Sequence, residues 1–196
     1  MIPVTPQPEP PKFSSRVREP GNIFLQEVPN PSSEQWKGKE YWRRVLPEMR
    51  DLYRGICAYC ARKIPYSTGS ATIDHFISKS VQPQLAYEWN NYRYVSSRFN
   101  ARKGTQTILD PFTIDEDWFT IDFSSYFIRP NEDLPSDLQK RIEETIIILK
   151  LNDDEDLVEE RRAWIQSFFD GQISFEHLEV EFPFIAHELA RQNLTT

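Results

Sequence analysis

The sequence has few cysteines and no long apolar run, and each absence excludes a class of protein. Its 196 residues include two cysteines, too few to staple a secreted fold of this size, so we expect a reducing cytoplasmic environment. No run approaches the roughly 18 apolar residues that span a bilayer, so we expect no membrane partner. The Pro-rich N-terminus does not resemble a signal peptide. The chain is 39% apolar and 13% aromatic, enough for the core of one domain.

An overall excess of positive charge is also missing, because the chain carries −7 at neutral pH. The charge is segregated, however, with −1 over residues 1–34, +8 over residues 35–104 and −14 over residues 105–196. Phosphate binding depends on local Lys and Arg density rather than on total charge. The basic block therefore favours a nucleic-acid partner. The alternative is a solvated basic helix docked on an acidic one.

Proline dominates the start of the chain. Eight prolines within residues 1–31 predict an extended arm that forms neither a helix nor a central strand. Apolar residues in this arm, such as Phe13 and Val17, indicate that part of it packs on the body or on a partner. We therefore divide the chain into an extended Pro-rich arm (1–31), a core (32–128) and an acidic helical C-terminal region (129–196).

Local patterns beyond the arm predict an α+β fold. Ser32 and Ser33 can cap a helix that reaches Leu46, with its Trp and Tyr residues facing the core. The other predicted elements are a helix from Pro47 to near Gly55, strands at 56–59 and 72–75, a helix at 96–101, two strands within 108–128, and helices at 136–151 and 153–169, followed by two short helices separated by Pro183.

The segment from residue 57 to residue 104 is the most informative. It centres on Asp74-His75, with Asn91 and Asn100 lying 16 and 25 residues beyond the histidine. A carboxylate offers a hard oxygen ligand for a divalent cation. A histidine of ordinary pKa offers a neutral base at cellular pH. Phosphodiester hydrolysis needs both parts close together.

This pattern, which ends in Asn-x-x-Lys, resembles the HNH (ββα-metal) nuclease motif. The resemblance implies a ββα-metal core flanked by helices. It also implies that Asp74 and Asn100 bind Mg²⁺ or Mn²⁺, and that His75 is the general base. Asn91 would tie the connecting loop together and orient the base. Asn90 competes for that role, and the register favours Asn91.

Four basic residues of the motif region are candidates for nucleic-acid binding: Lys79, Arg98, Arg102 and Lys103. By the resemblance, Lys103 closes the Asn-x-x-Lys and contacts phosphate. Lys79 lies in HFISKS, which is similar to the family's His-Phe-x-Pro-Lys-Ser except that Ser78 replaces the proline.

The cysteines mark a departure from the family. Many of its members pair a CxxC with a second CxxC to hold a structural zinc. Here Cys57 and Cys60 form the first pair, but Ser96 and Phe99 stand where the second would be. We predict no structural zinc and a packing role for both cysteines. A thioredoxin-like role would need a βαβ context that the sequence lacks.

Further similarity extends over about residues 55–110. CAYC, DHF-x-x-KS and the segment at 87–90 are similar to a bacterial HNH branch that includes the nuclease of Septu-type and retron-associated antiphage systems. In that branch an ATPase accompanies the nuclease. The resemblance implies a metal-dependent DNA endonuclease subunit with an ATPase partner. Two alternatives stay open, namely a non-catalytic nucleic-acid-binding or scaffold subunit with the same fold, and an RNA-directed toxin nuclease.

Overall fold

The structure, a computed structural model, describes residues 1–195 and confirms the α+β class. The described residues form seven α-helices and four strands in two antiparallel sheets. The helices are α1 (Glu19–Glu27), α2 (Leu46–Leu52), α3 (Ser97–Lys103), α4 (Ser136–Leu149), α5 (Glu155–Phe169), α6 (Phe175–Glu181) and α7 (Pro183–Arg191). The strands are β1 (Ala71–His75), β2 (Tyr92–Ser96), β3 (Phe119–Asp122) and β4 (Phe127–Pro130).

The chain divides into two compact units. The β1β2 unit comprises residues 5–56 and 64–107, and the C-terminal unit comprises residues 1–4, 57–63 and those from 108 onward. The β1β2 unit carries 14 basic and 9 acidic side chains, a net charge of +5, and the C-terminal unit carries −12. The excess of positive charge therefore belongs to the unit that contains Asp74 and His75. The division into three consecutive domains stays a prediction.

The expectation of an extended arm is wrong for residues 14–27. Ser14–Arg18 forms a π-helical turn that continues directly into α1. Pro20 lies in the first turn of α1, directly after this π-helical turn. Gly21 faces Tyr87 so closely that an added Cβ would lie 2.1 Å from a ring carbon. Packing within the β1β2 unit therefore stabilises a helix that local composition disfavours.

The helix predicted to reach Leu46 is also wrong in most of its length. Residues 33–38 form turns, and Tyr41–Val45 forms a short 3₁₀ helix. Gly38 has a φ of +75°, a left-handed conformation that interrupts a right-handed helix. The prediction that Trp36 and Trp42 belong to the core is confirmed, because both side chains are buried.

The prediction for the second helix is confirmed in type and position. α2 begins at Leu46, with Pro47 in its first turn. By contrast, residues 57–61 form a turn instead of the predicted strand, and the Ala61 N–H donates to the Cys57 carbonyl over 2.9 Å. Ala61 has a φ of +50°, which is incompatible with a continuing strand.

The strand at 72–75 and the helix at 96–101 are confirmed as β1 and α3. β1 pairs antiparallel with β2, and α3 follows β2 directly and contacts both strands. This register places Asp74 opposite Arg93 and His75 opposite Tyr92. The end of β1 therefore lies beside the start of β2, with α3 packed on the pair.

The C-terminal region follows its sequence pattern closely. The predicted strand pair within 108–128 is present as the β3–β4 hairpin, although it starts later, at Phe119. The four predicted helices are confirmed as α4 to α7. α4 ends at Leu149, and the following residue, Lys150, has a left-handed φ of +52° that terminates the helix. No helix among residues 1–195 combines the length and the apolar character that crossing a membrane would require.

Candidate active site

The last two residues of β1 are the centre of the site. Asp74 is 3% exposed and His75 is 8% exposed. Successive side chains of a strand point to opposite faces, so the two residues enter different surroundings although they are adjacent. Asp74 meets a cation from α3, and His75 enters an aromatic environment in front of the loop that connects β1 and β2.

A backbone carbonyl fixes the tautomer of His75. Its Nε2 lies 2.9 Å from the Ala86 carbonyl oxygen. A carbonyl only accepts, so Nε2 carries the hydrogen and Nδ1 of the neutral ring is left as the proton acceptor. The Tyr92 hydroxyl donates to the same carbonyl over 2.7 Å. One oxygen therefore anchors both rings that face each other across the β1–β2 pair.

Aromatic packing keeps this imidazole neutral. The Trp42 ring contacts His75 edge-on with centroids 4.6 Å apart, and the Tyr92 ring does so at 5.3 Å. Burial is the main cause that lowers the pKa of His75 to about 4, and the positive charges of Lys79 and Lys103 act in the same direction. His75 is therefore unprotonated near neutral pH, which is the state that a general base requires.

Asn91 holds the loop between the two strands. Its side-chain oxygen accepts from the Ile77 N–H over 2.8 Å, and its amide donates to the carbonyls of Ile77 and Leu85 over 2.9 and 3.1 Å. All three bonds go to backbone groups, and Leu85 precedes the residue that binds His75. Any orientation of the base by Asn91 would therefore act through the loop. The competing Asn90 is exposed.

A buried cation faces Asp74. The Lys103 ammonium lies 3.0 Å from Asp74 Oδ2 and 3.4 Å from Oδ1, and it also donates to the His75 carbonyl over 3.2 Å. The Lys103 residue is 1% exposed. Lys103 therefore points inward from α3. Its predicted contact with phosphate stays a prediction.

The donor set of the predicted metal site is oxygen-rich. Asn100 lies on the same helix as Lys103, and its amide nitrogen donates to the Ile73 carbonyl over 3.4 Å, next to Asp74 in β1. A carboxylate and an amide oxygen suit Mg²⁺, which keeps several waters and needs few protein ligands. The Lys103 ammonium already lies beside Asp74, so the Asp74 carboxylate is placed to interact with a cation. Within residues 1–195 no three His, Cys, Asp or Glu side chains are grouped to hold a metal ion.

The other three predicted nucleic-acid-binding residues differ in exposure and in the rings that they contact. Arg98 is exposed on α3, and the Arg102 guanidinium lies over the Phe99 ring, 5.5 Å from its centroid. Lys79 is half-buried, with its ammonium 5.3 Å from the Trp36 ring centroid and 5.7 Å from that of Trp42. Lys79 and Arg98 therefore have surface available within the β1β2 unit.

The two cysteines belong to the C-terminal unit and not to the unit of His75. Both are free thiols, with Cys57 buried and Cys60 partly buried. A hydrogen bond with Cys57, reinforced by burial, raises the pKa of the Cys60 thiol. The Cys60 group is therefore a neutral thiol near neutral pH. The packing role of both cysteines and the absence of zinc stay predictions.

Three contributors to the site were missed from the sequence: the Ala86 carbonyl, Tyr92 and Trp42. A backbone carbonyl leaves no side-chain signal. Tyr92 could have been found, because pairing of the predicted 72–75 strand with the segment after Asn91 places it near His75. Trp42 approaches from the 3₁₀ helix Tyr41–Val45, which is distant in the chain, so only the tertiary structure reveals its contact.

Comparison with known proteins gives one informative similarity. No protein-family model matches the chain. Over 83 residues, 40% of this chain, the sequence is 30% identical to the Septu protein PtuB of Bacillus thuringiensis. The chain spans about a third of that relative, 31% of its length. The predicted Septu-type resemblance is confirmed to this extent, and the finer assignment to HNH nucleases stays a prediction.

Proposed function

We propose that the chain is a metal-dependent HNH endonuclease that hydrolyses phosphodiester bonds of DNA. The observation that carries this proposal is His75, a neutral imidazole whose Nε2 is held by the Ala86 carbonyl at 2.9 Å. Asp74 adjoins it in β1, and Asn100 reaches the backbone of the same strand from α3. The order β1–β2–α3 supports a ββα-metal core, and the net charge of +5 on this unit supports a phosphate-bearing substrate.

In this proposal the residues of the chain divide the work. His75 Nδ1 accepts the proton of the attacking water, because Nε2 is committed to Ala86. Tyr92 binds the same carbonyl and Trp42 packs on the ring, so the imidazole is held in one orientation. Asn91 fixes the loop that carries this carbonyl. Proper orientation of a base is a substantial part of its catalytic contribution.

Asp74 and Asn100 would hold Mg²⁺ or Mn²⁺, which when bound polarises the scissile phosphate and stabilises the departing 3′ oxygen. Lys103 would then share Asp74 with the metal or move away from it. In either position its ammonium keeps a positive charge close to the site.

We further propose that the protein is the nuclease subunit of an antiphage defence system and works with an ATPase partner. The similarity to a Septu protein over 40% of the chain supports this assignment. A net charge of only +5 on the β1β2 unit predicts weak, salt-sensitive DNA affinity for the isolated chain. We therefore expect low cleavage by the isolated chain at physiological salt and a rise when an ATPase partner is added. Equal, robust cleavage with and without that ATPase would contradict the partner proposal.

One observation favours a second candidate, a non-catalytic nucleic-acid-binding subunit. Asp74 is paired with a lysine that is 1% exposed, so its carboxylate is neutralised without any metal. Such a pair can serve structure alone. A catalytic role requires that this carboxylate also interacts with a divalent cation.

A plasmid-nicking assay with Mg²⁺, Mn²⁺ or EDTA separates the two candidates. The nuclease proposal expects metal-dependent nicking by the wild type and none by His75→Ala. The exposed His177 supplies a matched control, and His177→Ala should cleave like the wild type. Matched DNA and RNA substrates in the same assay test the substrate, since faster cleavage of RNA would support the toxin alternative. Binding of DNA without cleavage under any metal condition would favour the non-catalytic subunit.

A further inference from the structure

A cavity of about 300 Å³ lies on the β1β2 unit, beside the residues described above. Two buried tryptophans, Trp36 and Trp42, form its apolar wall. Lys37, Arg43 and Lys79 supply positive charge, and Glu40 is its acidic lining residue. The cavity is of the size that accommodates a small polar group or a single nucleotide unit and is far too narrow for a duplex.

The three cationic side chains of this cavity differ in their surroundings. Lys37 pairs with Glu34 over 2.6 Å, and both side chains are exposed. Arg43 is exposed, while Lys79 is half-buried over the faces of Trp36 and Trp42. Burial lowers the pKa of Lys79, and Glu40 counteracts this only in part. An anion in the cavity would therefore stabilise the ammonium of Lys79 more than it would stabilise a fully hydrated lysine.

Trp42 connects the cavity to the candidate base. Trp42 lines the cavity, and its ring also contacts the His75 ring, with the two centroids 4.6 Å apart. The Lys79 ammonium lies 5.7 Å from the same Trp42 centroid, so it is within about 10 Å of the His75 ring centre. Phosphates of one strand are separated by a rise of roughly 3.4 Å per nucleotide along a duplex axis. A phosphate at Lys79 would thus be within a few nucleotides of one at His75.

We propose that this cavity binds a phosphate of the substrate strand a few nucleotides from the scissile bond, through Lys79 and Arg43. The proposal rests on the proposed function for its substrate, a nucleic-acid strand. Trp36 and Trp42 are too deeply buried to stack on bases, so the contact is to the backbone and independent of sequence. The cavity would position the strand across the face of the unit on which His75 lies.

Binding measured without cleavage tests this proposal. A labelled single-stranded oligonucleotide is titrated in EDTA at several salt concentrations, and gels confirm that it stays intact. Lys79→Met keeps the aliphatic packing on the two tryptophans but removes the charge. We expect it to weaken binding roughly tenfold, the effect of losing one charge-assisted bond, and to reduce the salt slope by about one. Lys79→Arg should retain binding within about threefold, because charge is preserved.

Two further variants complete the design. Arg43→Ala removes an exposed side chain, so it should weaken binding without unfolding the protein even if Lys79→Met is unstable. Lys140→Met is the matched control, since Lys140 is exposed on α4 of the other unit. Oligonucleotide affinity that is unchanged in both Lys79→Met and Arg43→Ala overturns the proposal, as does an equal loss in Lys140→Met.

The outcomes also separate this proposal from the nuclease proposal. Nicking by the wild type together with unchanged binding in the cavity variants would sink the cavity proposal alone. Absence of nicking even with the ATPase partner present, together with Lys79-dependent binding, would sink the nuclease proposal alone. Inorganic phosphate provides the last arm. If it matches the oligonucleotide in affinity and in dependence on Lys79, the cavity is a site for free phosphate and the strand contact is wrong.

Discussion

The ammonium of Lys103 lies 3.0 Å from the carboxylate of Asp74, and neither side chain is more than 4% exposed. Two full charges are thus removed from water together, at the point where α3 packs on β1. Desolvation of such a pair is costly, and the attraction between the charges offsets that cost only while both partners are present. The pair therefore links the stability of the unit to the same carboxylate that the metal proposal uses.

Lys103→Met should reveal this link. Removing the cation leaves a buried carboxylate unpaired, which we expect to lower the free energy of unfolding by about 3–5 kcal/mol. Millimolar Mg²⁺ should restore part of the loss, because a divalent cation can replace the ammonium. Thermal or chemical denaturation with Mg²⁺ and with EDTA provides the measurement. The control is Lys140→Met, which should change neither stability nor its response to Mg²⁺. If Mg²⁺ leaves the unfolding of Lys103→Met unchanged, Asp74 is not a metal ligand.

His75→Ala should reduce the cleavage rate by about 10²–10⁴-fold, the usual contribution of a general base. DNA affinity should change little, since His75 is 8% exposed and its ring is hydrogen-bonded to the Ala86 carbonyl. Single-turnover cleavage and a separate binding titration distinguish the two effects. Tyr92→Phe removes the second donor to the Ala86 carbonyl without removing the ring. We expect a smaller loss of rate for Tyr92→Phe than for His75→Ala. A cleavage rate of His75→Ala within a few-fold of the wild type would refute the assignment of His75 as the base.

Asp74→Ala and Asn100→Ala should weaken metal binding. We expect cleavage at limiting Mg²⁺ to fall in both variants and to recover in part at high Mn²⁺, because lost ligands raise the metal concentration that is needed. Metal titrations of activity and calorimetric measurement of Mn²⁺ binding test this together. Asp74→Ala should also lose stability, since it leaves Lys103 unpaired. Wild-type metal dependence in both variants would show that the ligands lie elsewhere.

Gly21→Ala should destabilise the fold despite the higher helix propensity of alanine. The new Cβ would lie 2.1 Å from a ring carbon of Tyr87, so α1 or the ring must shift, at a cost of about 1–3 kcal/mol. The control is Asn22→Ala on the exposed side of the same helix, which should be neutral or slightly stabilising. The midpoints of thermal unfolding compare the two. Equal midpoints would mean that α1 does not pack on Tyr87 as described.

The purified protein should contain far less than one zinc per chain, because Ser96 and Phe99 replace the second cysteine pair. A double Cys57→Ser, Cys60→Ser variant should lose stability through packing, since Cys57 is 0% exposed. Elemental analysis and denaturation with and without a chelator test both statements. Stoichiometric zinc, or a loss of stability on chelation in the wild type alone, would contradict the prediction and require ligands from another residue or chain.

Local sequence was sufficient for elements whose hydrophobic period and end signals agree. The strand that ends in Asp74-His75, the helix that carries Asn100, and the helices beyond Ser136 were all predicted close to their observed bounds. The helix from Ser14 to Glu27 was missed for the opposite reason, since its composition disfavours a helix. Its formation depends on contacts such as that of Gly21 with Tyr87, 66 residues further along the chain.

The sequence alone determined which chemical groups are present: an acid beside a histidine, two asparagines at fixed separations, and a basic block around them. These are properties of residue identity and spacing, which a fold cannot change. The tertiary structure alone decided how the groups face one another. It turned Lys103 inward onto Asp74, placed the Ala86 carbonyl at His75 Nε2, and brought Trp42 against the imidazole. Such contacts join segments distant in the chain, and their energies depend on burial and direction, which spacing along a sequence does not specify.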